Sequence, residues 1–391
     1  MKIKGNIQQR GENIFRIRID LDPKKRQAGP RRPHTETVRG TREDAEQRLT
    51  ELNLLIMKGQ IKEPSKATVS DWLEAWLSNI EMAVEANTFQ RYEIICRTHW
   101  IRVIGNIRLQ SLSAGQIREA EKFFLSEGRA NGKGGLSPRT VLHHHRVLHE
   151  ALDAAVADKM IEANPAASVK PPKQTKKEIE FLDQEGAEKL LAGFEGRSLY
   201  PIVLLAVTSG MRRSEILGLH ISDINFDEGW LKVTKTLEQT KAYGIRVKQV
   251  PKTSSSRRRI SLPAVTIRAL KAHLTKQQEN LLRLGVGKRN DGPVFLTEAG
   301  QLRSPNALSR YFDTLVKKID IKRITFHGLR HTHITHLLMN NSIPFKVVSA
   351  RAGHASVAIT LDIYGHLISG KDEEAAAVMD RAFGAGATEQ D

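Results

Sequence analysis

Apolar and polar residues alternate with period two through "NIFRIRIDLD". Phe15, Ile17, Ile19 and Leu21 fall on one face, and Arg16, Arg18, Asp20 and Asp22 on the other, the pattern of a half-buried strand. "HTETVRG" reads as a further strand. "TREDAEQRLTELNLLIMKG" changes to helical period, with Ala45, Leu49, Leu52 and Ile56 on one stripe and a capping box at Thr41 and Asp44. From about residue 66 to 165 the period stays helical. "TVSDWLEAWLSNI" pairs Trp72 with Trp76 and Leu73 with Leu77. "SAGQIREAEKFFLSEG" starts at a cap on Ser113. "LSPRTVLHHHRVLHEALDAAVADKMI" has Ser137 as N-cap and Pro138 in the first turn. On this last helix Val141, His145, Leu148, Leu152 and Ala155 share a stripe, so His145 reads as a packed histidine. His143 and His144 point elsewhere, and three adjacent histidines on a helix cannot face one metal.

"ANPAASVKPPKQTKKE" (163–178) lacks periodicity and reads as a basic linker. Beyond it the pattern is mixed: helices flank "WLKVTKT", "GIRVKQVP" and "RRRISLP", three short strands. The fold class expected is therefore multidomain. Residues 1–62 form a small three-stranded sheet plus a helix, 66–165 an all-α domain, and 176–391 a mainly-α domain with a small antiparallel sheet.

Charge narrows the partners. The chain has 391 residues with 61 basic and 44 acidic side chains, a formal net charge of +17, which favours polyanions, nucleic acid first. The longest strongly apolar run, "YPIVLLAV", is too short to span a membrane, and the N-terminus has no signal-peptide core. One cysteine, Cys96, allows no intrachain disulfide and fits a cytoplasmic setting. The loop "KKRQAGPRRP", with Lys24, Lys25, Arg26, Arg31 and Arg32, is either a solvated hairpin tip or a phosphate contact.

Four weak signals follow one another in the last segment. In "LLAVTSGMRRSEILGLHISDI" an apolar helix stops at Ser209-Gly210 and a new one begins at Arg212, with Glu215 one turn later to orient it. In "PKTSSSRRRISLP", Lys252 falls at a turn between strands. "FHGLRHTHITHLL" packs four histidines and an arginine into thirteen positions. His327, Arg330 and His331 lie within about 100° of one another on a helix, while His333 and His336 lie elsewhere. One helix therefore cannot supply four histidines to one metal, and His327 and Arg330 can meet one anion. In "ARAGHASVAITLDIYGHL", Gly353-His354 is a helix-end turn, Ser356 an N-cap, and Tyr364 lies on the next helix.

In order and spacing, R-x-x-E, K-T-x-x-S-x-R, H-x-L-R-H-T, G-H and Y closely resemble the tyrosine recombinase (phage integrase) family over about residues 200 to 367. The resemblance implies an arm-type DNA-binding domain, a SAM-like core-binding domain and a catalytic domain. It implies Tyr364 as nucleophile on a DNA phosphate, forming a 3′-phosphotyrosine. Arg212 and Arg330 would neutralise the phosphate. Lys252 would protonate the leaving 5′-oxygen, His327 would assist proton movement at Tyr364 or the phosphate, and His354 would donate to a non-bridging oxygen. Glu215 and His331 would support these groups, and Arg213 and the Arg257–Arg259 run, Arg257 first, would contact phosphates or be solvated. No metal or cofactor is implied. The implied partners are double-stranded DNA at core-type and arm-type sites, three further copies in a homotetramer, and an excisionase or DNA-bending accessory protein. The setting is the cytoplasm of a bacterial cell. Ala352 stands where the family commonly has Leu, and Asn341-Ser342 where it commonly has Gly, which bears on turn geometry. A non-catalytic DNA-binding regulator, and a metal-dependent hydrolase built on His327, His331 and His354, are the competing classes.

Overall fold

Alternation in the first segment becomes a three-stranded antiparallel sheet of β1 (Gly5–Gly11), β2 (Ile14–Ile19) and β3 (His34–Arg39), with β2 in the centre. The computed structural model describes residues 5–19, 34–57, 66–174, 179–249, 257–339, 343–365 and 372–383. It divides into two units, residues 1–175 and 176–391. Phe15, Ile17 and Ile19 are buried on one face of β2, where helix α1 (Arg42–Met57) covers the sheet with Leu49, Leu52 and Ile56. The start of α1 is fixed reciprocally: Thr41 N–H donates to Asp44 Oδ2 at 2.7 Å, and Asp44 N–H donates to Thr41 Oγ1 at 3.2 Å. Leu21 and the basic loop with Lys24, Lys25, Arg26, Arg31 and Arg32 lie outside the described residues.

The rest of the first unit is helical. It contains α2 (Val69–Ile80), α3 (Ala86–Ile94), a π-helical stretch Ile95–Trp100 leading into α4 (Ile101–Ile104), α5 (Ala114–Glu127) and α6 (Pro138–Ala157). Thr68 and Ser113 close capping boxes with Asp71 and Gln116, and Ser137 caps α6 ahead of Pro138. Trp72, Trp76, Trp100 and Phe124 fill one core with Leu73, Leu77, Leu148 and Leu152. The indoles are also satisfied: Trp72 Nε1 donates to Ala151 O at 2.8 Å and Trp100 Nε1 to His144 O at 2.9 Å.

His145 lies in this core, with Nδ1 2.7 Å from Glu121 Oε1. His144 is buried as well, contrary to the single-stripe reading, with its ring 4.4 Å from that of His99 and 5.7 Å from Phe124. The reason is that α6 packs on α2, on α5 and on the π-helical stretch together, so it buries an arc wider than one stripe. Burial, then the neighbouring His99 and His143, push His144 down to about 4 from 6.5. A histidine kept neutral by folding stabilises fully above its unfolded pKa, and that stability is lost as the pH falls toward the folded value.

The second unit builds one core from helices and two small sheets. Strands β4 (Ile224–Asn225), β5 (Trp230–Val233) and β8 (Arg258–Ser261) form one antiparallel sheet in that order, and β6 (Lys235–Thr240) pairs only with β7 (Gly244–Gln249). The stretch read as a single strand, "WLKVTKT", thus breaks at Thr234. Its hydroxyl donates to Asp223 Oδ1 at 2.6 Å, and Lys235 pairs with the same buried carboxylate at 2.9 Å. The helices are α7 (Gln184–Phe194), α8 (Tyr200–Ser209), α9 (Arg213–Leu217), α10 (Ala264–Arg283), α11 (Pro305–Val316), α12 (Phe326–Met339), α13 (Phe345–Ala352), α14 (Val357–Tyr364) and α15 (Asp372–Phe383). Apolar almost all round, α8 is the central helix, against α7, α9, α10 and α12. No helix among the described residues is long and apolar enough to cross a membrane.

Replacing His144 with leucine removes the titrating group and keeps the volume roughly constant. Unfolding temperatures of the wild-type chain should fall between pH 6.5 and 4, and His144→Leu should flatten that slope in a scanning-calorimetry series.

Candidate active site

Two helix ends define the site. α8 stops at Gly210, in the left-handed conformation at φ 66°, and α13 stops at Gly353, at φ 70°. Such turns suit glycine, and a side chain here would also collide: a Cβ on Gly210 would lie 2.4 Å from the His333 ring, and one on Gly353 2.7 Å from Arg258 Nη1. The carbonyls freed at these ends point at guanidinium groups. Arg330 Nη1 donates to Gly210 O at 2.7 Å and to Ala352 O at 2.6 Å. Arg212 Nη2 donates to Gly353 O at 2.8 Å. Helix C-termini carry partial negative charge, so cations there are held favourably.

Arg212 precedes α9, and Glu215 sits one turn into that helix. Glu215 Oε2 accepts from Arg212 N–H at 2.8 Å, and Oε1 accepts from Arg212 Nη1 at 2.9 Å. The same carboxylate takes a bidentate pair from Arg258, at 3.1 and 2.7 Å, and Arg258 Nε donates to Arg351 O at 2.7 Å. Burial raises the Glu215 carboxyl, but the hydrogen bond and charge of Arg258, followed by Arg212, outweigh it and hold the group below its ordinary range. Arg330 is 3 % exposed. Burial first, then Arg212 and Arg258, push it down to about 10, which leaves it charged at neutral pH. Among the described residues the two carbonyls engage only its Nη1, so Nε and Nη2 remain for another acceptor.

Tyr364 ends α14 and is 1 % exposed, packed with Ile334, Leu338, Val348 and Ala352. Its hydroxyl lies 2.5 Å from His331 Nδ1. The His327 and His331 rings stand perpendicular at 4.9 Å, and His327 is exposed. His354 follows Gly353 with its Nδ1 2.8 Å from Thr360 Oγ1. Burial and then Arg330, Arg212 and Arg258 push His354 down to about 4. His333 is buried, with Nδ1 2.8 Å from Val207 O, and His336 is exposed, with Nε2 2.9 Å from Leu182 O. Among the described residues no three His, Cys, Asp or Glu side chains form a group that could hold a metal.

Arg212, Glu215, His327, Arg330, His331, His354 and Tyr364 therefore converge. Lys252 lies outside the described residues. Arg213 lines a cleft of about 530 Å³ beside Arg212 and His327, with Ser214 and Thr325, and its Nη1 donates to Pro305 O at 2.9 Å and to Ser309 Oγ. Arg257 is exposed, while its neighbour Arg258, the arginine that closes K-T-x-x-S-x-R, is the partner of Glu215, with its side chain 6 % exposed. The alternation in "RRRISLP" carries the signal: Arg258 shares a strand face with buried Ile260, and Glu215 is the carboxylate that it meets there.

Residues 180–370 match the phage integrase family, and residues 68–124 match the family's N-terminal SAM-like domain. The chain belongs to the tyrosine recombinase family. It is 26 % identical to a XerC-like tyrosine recombinase of Caldanaerobacter subterraneus, over 98 % of this chain and 100 % of that one. It is 25 % identical to the ICEBs1 integrase of Bacillus subtilis, over 89 % and 92 %. Among solved structures, the Tn1549 transposon integrase in complex with a circular intermediate DNA aligns with a TM-score of 0.65 at 23 % identity, over 79 % of this recombinase and 99 % of that chain. That likeness is one of fold.

Removing Glu215 would leave Arg258 buried without its counter-charge. Glu215→Ala should cost about 3–5 kcal/mol in denaturant unfolding at neutral pH. The wild-type contribution should be complete above pH 4.5 and disappear as the pH falls through the lowered folded value, so the two proteins should converge in strong acid.

Proposed function

We propose that this recombinase cuts and rejoins DNA strands through a 3′-phosphotyrosine on Tyr364, integrating and excising a phage or other mobile element. The observation that carries the reading is the meeting of Tyr364, Arg330, Arg212 and His354 around the Gly353 turn, each from a different stretch of chain. In the forward step Tyr364 Oη bonds to phosphorus while the P–O5′ bond breaks, and its electron pair leaves on the 5′-oxygen. Arg330, through Nε and Nη2, and Arg212, through its open edge, offset the charge gathering on the non-bridging oxygens. His354 and His327 donate to the same phosphate. Lys252 supplies the proton to the 5′-oxygen, and Glu215 and His331 support the machinery. The phosphotyrosine keeps the phosphodiester energy, so rejoining needs no ATP.

Domain roles follow the same reading. Residues 1–62 bind arm-type sites, with Lys24, Lys25, Arg26, Arg31 and Arg32 on phosphates. Residues 66–165 grip the core site, and residues 176–391 carry out catalysis, with Arg213 and Arg257 on flanking phosphates. The net charge of +17 supports DNA as the partner. Named relatives support the rest: the λ integrase dimer is bound to a core site, and the relative in Bacillus subtilis is an integrase. A homotetramer on DNA in the bacterial cytoplasm, aided by an excisionase or a DNA-bending protein, is the working assembly.

Tyr364→Phe should abolish covalent capture of a nicked suicide substrate while leaving DNA affinity, read by gel shift, within a few-fold of wild type. A Tyr364→Phe protein that still forms trapped adducts would sink the assignment.

A further inference from the structure

We propose that His331, through Nδ1, is the general base that takes the phenolic proton of Tyr364 in cleavage and returns it in rejoining; the idea rests on the recombinase reading above. The family resemblance implies His327 for proton movement at the tyrosine or the phosphate. The geometry separates the two histidines. His331 Nδ1 is 2.5 Å from Tyr364 Oη, within reach for direct transfer. His327 sits one turn earlier, exposed, at the side of Arg212 and Arg213. One helix thus presents His327 and Arg330 to the phosphate and His331 to the nucleophile.

The protonation states agree with this division. Burial, then His327 and Arg330 on the same helix, hold His331 near 4, so it is neutral in the resting site. With its proton on Nε2, Nδ1 is free to accept the Tyr364 hydroxyl. Burial raises the tyrosine, so no tyrosinate accumulates before substrate arrives. The charged and titratable groups around His331 are His327 and Arg330 from α12, Tyr364 from α14, and His354 from the turn between α13 and α14. A phosphodiester anion entering among them opposes the cationic repulsion and makes the imidazole more basic when the phenol must ionise. The balance closes. The Oη–P bond forms and the P–O5′ bond breaks; the phenolic proton moves to Nδ1, and the 5′-oxygen takes a different proton from Lys252. In rejoining, the imidazolium returns its proton to the departing tyrosine oxygen.

Two substrates and two substitutions test this. A 5′-bridging phosphorothiolate has a leaving group that needs no proton, so it compensates for loss of the acid and not for loss of the base. In single-turnover cleavage, His331→Ala should be slower by about 100-fold or more on both the ordinary and the phosphorothiolate strand. Added imidazole should restore part of that rate. His331→Asn can accept the tyrosine hydrogen bond but cannot carry the proton, so it should be as slow as His331→Ala. Gel-shift affinity should match wild type, showing a folded site. A rate for His331→Asn within about threefold of wild type, a phosphorothiolate strand that erases the defect, or no response to imidazole would each overturn the proposal. None of these touches the wider assignment, which stands or falls with Tyr364→Phe.

Discussion

Gathering several arginines into a nearly dry site is the constraint on which the second unit depends. Arg212 and Arg258 both press on Arg330, and Arg258 presses on Arg351, while among the described residues Glu215 answers Arg212 and Arg258 with a full negative charge. The remaining compensation comes from backbone carbonyls: Gly210, Arg351, Ala352 and Gly353 each accept from a guanidinium. Carbonyls are free only where a helix ends, so α8 and α13 must both stop against this site. That requirement selects glycine at both left-handed positions, and it fixes where α9 and α14 can begin. The geometry of the arginine cluster and the chain's turns are therefore one problem with one solution. A substitution at Gly210 or Gly353 disturbs carbonyls that hold Arg330 and Arg212.

Much of this was legible in the sequence because it is local. Reciprocal caps at Thr41–Asp44 and Ser113–Gln116 are written within four residues. The tryptophan pairs on α2 and the Phe15–Ile17–Ile19 alternation need only a period. The break after Ser209 and the Arg212–Glu215 pair are also local, and the order of the motifs identified the family. What stayed hidden is non-local. Arg258 sits 43 positions from Glu215, and the alternation with Ile260 that turns the middle arginine inward does not say which carboxylate it meets. The sheet chose the middle one through its pairing with β5. The same holds for "WLKVTKT", where two strands belong to different sheets because Asp223 captures both Thr234 and Lys235.

The histidines make the limit concrete. Helical angle separated His327, Arg330 and His331 from His333 and His336, and the structure keeps that separation. Angle could not rank His327 against His331, since both lie on the same face. The ranking comes from α14, which brings the Tyr364 hydroxyl to His331 and leaves His327 in the open. On α6 the error ran the other way. A single partner was assumed, whereas several elements pack around that helix, and His144 is enclosed with His145.

The imbalance of charge reinforces burial in keeping the imidazoles neutral at rest. His331 and His354 stand near 4, chiefly through burial, with the arginines adding to it. Protonating either would add another cation to a site already short of anions. On the proposed reading a phosphodiester supplies the missing charge, so its binding is linked to two other quantities. It stabilises the folded arrangement, because a ligand that binds only the folded state always does. It also moves the imidazoles toward the range in which they exchange protons, because an anion favours the protonated form. Substrate binding and readiness for proton transfer are thereby coupled through the same Coulomb term. Burial raises the tyrosine, so on the proposed reading it stays un-ionised until a phosphodiester has made the neighbouring imidazole a stronger acceptor.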